Sequence, residues 1–70
     1  MPEDERKKLK ILLNHWVGHN SEHAQEFREW AEKARSLGQA EVHDDIIQAA
    51  RQMDKAKEFL LRALERLMEG

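Results

Sequence analysis

Three of the chain's four histidines fall within nine residues, as His15-x3-His19-x3-His23. On a helix, residues four apart share a face, with Cβ atoms roughly 5–6 Å apart. Two neutral imidazoles so placed can share one divalent ion, and imidazole suits Zn, Ni, Cu or Fe. All three make a poor single site on one straight helix, because the outer pair is about 12 Å apart along the axis. The chemical unit is therefore a pair, completed by a carboxylate, by water or by a second chain. Glu22 and Glu26 flank the same face. The candidate metal ligands are thus His15, His19, His23, Glu22 and Glu26, with Ni, Zn or Cu as the ion. The plainer account is three amphipathic side chains along a wet edge, with His23 hydrogen-bonded inside a bundle. A proton-linked switch is a third use of such a cluster. His43 stands alone in the second half and reads as a surface or edge residue.

Patterns for covalent or hydrolytic chemistry are missing. The ladder reads His-Asn-Ser-Glu-His, which lacks the His-Glu-x-x-His order of zinc hydrolases. No Glu-x-x-His pair occurs, so the di-iron carboxylate signature of helical bundles is absent too. Ser21 and Ser36 have no evident oriented base, and no glycine-rich phosphate loop exists. These residues predict a protein that is not an enzyme.

The stretch from His15 to Trp30 carries the pattern His-Trp-x-x-His-Asn-x-x-His-x-x-x-Phe-x-x-Trp. It resembles a small helical domain of uncharacterised function in anaerobic prokaryotes. That domain occurs alone or appended to small nickel-binding accessory proteins of carbon monoxide dehydrogenase maturation. The likeness covers about a quarter of the chain and is looser over the second half. It implies His15, His19, Asn20 and His23 as the characteristic polar set. In those relatives a histidine follows in the second helix, where this chain has Phe59.

Helices must position the ladder. The chain has no Thr or Tyr and only five Val or Ile, while Ala, Leu, Glu, Lys, Arg and Gln abound. The only proline, Pro2, lies where a helix tolerates it. Ser36-Leu37-Gly38 follows Lys33 and Arg35, as a helix end does. At about 100° per residue, Leu9, Leu12, Leu13, Trp16, Asn20, His23, Phe27, Ala31 and Ala34 form one stripe. Its phase survives Gly18, which predicts one helix over 3–36. A break near Gly18, capped by Asn20 or Ser21, gives the alternative three-helix bundle. Val42, Ile46, Ala50, Met53, Leu60, Leu64, Leu67 and Met68 predict a second helix over 40–69. The fold class is all-α, one antiparallel helical hairpin forming a single domain over 1–70.

Composition then bears on assembly. Of the 40% hydrophobic residues, eight are alanines, so the core is thin, and no cysteine is present to staple it. Pairing two hairpins as a homodimer, a four-helix bundle, would bury what one hairpin exposes. Ala49, Ala56 and Ala63 recur every seven residues and suit a bundle seam. Asn20 and Lys57 fall within the two stripes at similar height, where a polar layer can set register, or where Lys57 snorkels its ammonium to water. Trp16 and Trp30 are expected in the core or seam. Net charge is −2 with both signs interleaved, so no nucleic-acid partner is expected. The longest apolar runs, Ile11–Leu13 and Phe59–Leu61, are far too short to span a membrane. The charged N-terminus predicts a soluble, cytoplasmic protein. The competing function is a structural or protein–protein interaction bundle without ligand, natural or designed.

Overall fold

Pro2 has no amide proton to lose, and its carbonyl accepts from the Arg6 amide at 3.0 Å. It therefore starts a helix without interrupting one. A computed structural model describes residues 2–69. Helix α1 spans Glu3–Ser36 and helix α2 spans Ala40–Glu69. Glu3, Asp4 and Glu5 face the positive end of the α1 dipole, and Lys33 and Arg35 face its negative end.

The turn satisfies the last carbonyls of α1. The Gly38 amide donates to the Arg35 carbonyl at 3.0 Å, and the Gln39 amide reaches back to Ala34 at 2.9 Å. This is a Schellman motif, and it requires Gly38 in the left-handed region, at φ 78°. Space is not the constraint, since a Cβ at Gly38 would meet nothing within 4 Å. Gly38→Ala should therefore destabilise by about 1–2 kcal/mol through backbone strain alone. Gly18 is the opposite case. It lies inside continuous helix, again with nothing within 4 Å of a Cβ. Gly18→Ala should stabilise by about 0.5–1 kcal/mol. Urea titration of both variants checks the two signs. The three-helix alternative fails at this point. Ser21 caps nothing, because its hydroxyl donates to the Val17 carbonyl one turn back at 3.2 Å.

The helices meet along a seam with strict three-four spacing. On α1 it runs through Lys10, Leu13, Val17, Asn20, Ala24, Phe27, Ala31 and Ala34, all buried or half-buried. On α2 it runs through His43, Ile46, Ala50, Met53, Lys57, Leu60, Leu64 and Leu67, with the same loss of exposure. Such spacing defines an antiparallel two-helix coiled coil. Among the described residues, only Leu13, Ala24, Ala31 and Ala50 are buried outright. Asn20 and Lys57 occupy seam positions and are half-buried.

Trp16 and Trp30 lie outside the core of the single hairpin. They are 41% and 61% exposed, not core. Each lies one residue before a seam position, about 100° round the helix from it. His43 also differs from its expectation. It is the first seam position of α2, with its side chain only 18% exposed.

Polar ties across the helices are few. Arg28 donates to Asp54 at 2.5 Å, and Arg6 reaches the Leu67 carbonyl. Near the turn, His43 Nε2 lies 3.5 Å from Glu32, and its Nδ1 lies 3.0 Å from Asp44. The Arg28–Asp54 pair is about half exposed on both sides, so water screens it. Asp54→Asn should cost no more than about 1 kcal/mol in the same urea assay.

Candidate metal site

Helix α1 holds the three ladder imidazoles in consecutive contact. The His15 and His19 ring centroids are 5.3 Å apart, nearly perpendicular. Those of His19 and His23 are 4.5 Å apart, stacked at 20° between planes. The His23 ring then meets Phe27 at 6.3 Å. A helix turns 400° in four residues, so each rung is displaced by about 40° from the last. His15 and His19 are consequently exposed, whereas His23 is half-buried beside the seam.

Trp16, His19, Asn20 and His23 of α1, with Leu60 of α2, line an open groove of roughly 400 Å³. Of the three rungs, His19 and His23 line this groove and His15 does not. Glu26 places a carboxylate oxygen 3.8 Å from His23 Nδ1. That is ion-pair range, slightly beyond a hydrogen bond. Closing the gap would fix Nδ1 as donor and leave Nε2 free to ligate, the usual role of a carboxylate behind a metal-bound imidazole. Glu22 is exposed, and among the described residues it forms no ion pair with the ladder. His15 likewise has no carboxylate partner among them.

The structure thus brings His19 to both of its neighbours and Glu26 to His23. It does not bring all five candidates to one point. Among the described residues, no group of three or more His, Cys, Asp or Glu side chains is arranged to hold an ion. The available unit is a pair. In the stacked pair, the rings must turn about their side-chain bonds for two nitrogens to converge. Rotamer changes of exposed side chains take only picoseconds to nanoseconds.

Sequence reasoning missed the Glu32–His43–Asp44 cluster at the turn. The three-four spacing that begins at His43 was the available signal. The cluster ties the two helices together beside the Schellman turn, and its His43 imidazole is largely covered. Leu60 lines the groove beside the ladder, a link that its place in the α2 stripe does not reveal.

Residues 9–67 match a family described as Domain of unknown function (DUF8180). Over 59 residues the chain is 36% identical to an uncharacterized protein of Archaeoglobus fulgidus, covering 84% of this chain and 94% of that one. No solved structure matches. Among the described residues, no helix is long and apolar enough to cross a membrane. The matched span contains the whole His ladder, the turn and nearly all of α2, and the chain belongs to the DUF8180 family.

Proposed function

We propose that this protein is a non-enzymatic module that binds a divalent transition ion through its histidine ladder. The supporting observation is the uninterrupted run of imidazoles, 5.3 and 4.5 Å between centroids, at the rim of an open groove. Ni, Zn and Cu all accept two imidazoles with water or carboxylate in the remaining positions. His19 belongs to both possible pairs, His15–His19 and His19–His23. Glu26 supports the second pair from behind, and Glu22 is the carboxylate left to approach an ion from solvent.

Trp16 supplies the readout, since it lines the same groove as His19 and His23. Paramagnetic Ni²⁺ or Cu²⁺ should quench its fluorescence, and Zn²⁺ should compete the quenching away. The titration belongs in a Trp30→Phe background, so that one indole reports. Two protein ligands bind weakly, so micromolar affinity is the expected scale. His19→Ala should weaken binding at least tenfold, because no pair of rungs four apart survives. Losing His15 or His23 alone leaves one pair. Equal quenching in the parent and in His19→Ala would remove the ladder as the site.

A second reading is an interaction module without ligand. It is favoured by one specific observation, the large apolar side chains left uncovered on the groove side of the hairpin.

A further inference from the structure

One face of this hairpin is built to be covered. Leu9, Trp16, His23 and Trp30 repeat every seven residues on α1, each one residue before a seam position. On α2, Val42, Ala49, Ala56 and Ala63 repeat every seven residues in the same relation to its seam. One residue back is about 100° of rotation on either helix. Because the helices run antiparallel, the two rotations emerge on the same side of the hairpin. The result is a second pair of heptads, parallel to the seam and unpartnered. Trp30, Val42 and Phe59 on this side are 61%, 44% and 64% exposed.

We infer that this face docks a second copy of the chain, forming a two-fold four-helix bundle. Surface area supports that occupant. The chain exposes 5520 Å², whereas a globular monomer of 8.3 kDa should expose about 4600 Å². The excess, roughly 900 Å², is close to the ~800 Å² that each partner buries in a stable complex. The hairpin measures 53 by 14 by 12 Å between Cα extremes, so a face running its length is large enough to bury that area.

Shape and charge point the same way. Large residues on α1 lie beside alanines on α2, which gives one copy both knobs and hollows. Three residues beyond the heptad positions, the rims of the face carry charge. Glu5 and Lys33 stand at opposite ends of the α1 rim, and Asp45 and Arg66 at opposite ends of the α2 rim. A two-fold operation places a copy's acidic end against a basic end on either rim. Among the described residues, none of these four pairs across the two helices within one chain. This face shares Trp16 and His23 with the groove of the metal reading, but its docking requires no ion.

Light scattering on the untagged protein with chelator present tests it. Wild type at tens of micromolar should show twice 8.3 kDa. Ala56 is exposed within one chain, so Ala56→Arg leaves the hairpin intact while placing a charge at the centre of the face. It should weaken self-association at least tenfold with helicity by circular dichroism preserved. Trp16→Glu should do the same. Glu58→Arg, exposed and two residues or about 200° round α2 from Ala56, should remain dimeric. A wild-type mass of one chain, or a dimer unaffected by Ala56→Arg, would overturn the inference. Either result leaves the metal titration free to succeed or fail by itself.

Discussion

Leu13→Ala should cost about 2–4 kcal/mol of unfolding free energy, seen as a lower urea midpoint with little change in slope. Leu13 is the largest of the four buried apolar residues, at 5% exposure. Its three companions are alanines, which contribute close approach and little transfer energy. A domain of this length holds roughly 3.5–10 kcal/mol in all. One truncation at this position therefore removes a large share of it. The turn half of the seam should fail for the opposite reason. Ala31 and Ala50 have no exposed surface, so the helices already touch there. Ala50→Leu should force them apart and cost about 1–3 kcal/mol. If Leu13→Ala costs less than about 1 kcal/mol, the seam is not the main support. The groove-side face would then have to supply the stability.

The helices were legible, as was the phase of α2, whereas the phase of α1 was legible only in part. Boundaries at 3–36 and 40–69 follow from strong signals: one proline at the start, one glycine after a basic last turn, and few β-branched residues. The predicted α1 stripe followed bulk instead, and bulk misled it. Leu12, Trp16 and His23 outweigh Lys10, Val17 and Ala24 in any count of apolar volume. The latter three nevertheless lie on the seam, where the modest size of Val17 and Ala24 lets two backbones come close. A second cause is periodic. A seam repeating every 3.5 residues drifts by about 20° per heptad on a straight 100° wheel. Over the four heptads of α1 that drift reaches about 80°, enough to merge the seam with the face beside it. Two adjacent heptad patterns therefore read as one wide stripe. The ladder itself was fully legible, since four-residue spacing survives any error of phase. The ring geometry and the Glu26 contact depend on side-chain rotamers, which spacing does not specify.

Lowering the pH should weaken metal binding with a slope that counts the ligands. An imidazole must be neutral to donate its lone pair to an ion. At any pH low enough that the unbound imidazoles carry a proton, each ligating imidazole must release one proton on binding. Each therefore contributes a tenfold fall in affinity per unit of pH, and a His pair about a hundredfold. Titrations of Ni²⁺ at several pH values in this range should give a limiting slope of two on logarithmic axes. His15→Ala and His23→Ala should keep a slope of two if either pair can serve, at reduced affinity. A slope of one would mean a single imidazole with water, too little for the proposed site. A slope of three or four would require rungs from two copies, since one chain's outer histidines are about 12 Å apart along the axis. Glu26 gives an independent check on which pair is used. It lies 3.8 Å from His23 and touches neither other rung. Glu26→Gln should lower affinity about tenfold if His19 and His23 are the ligands. It should leave the affinity unchanged if His15 and His19 are.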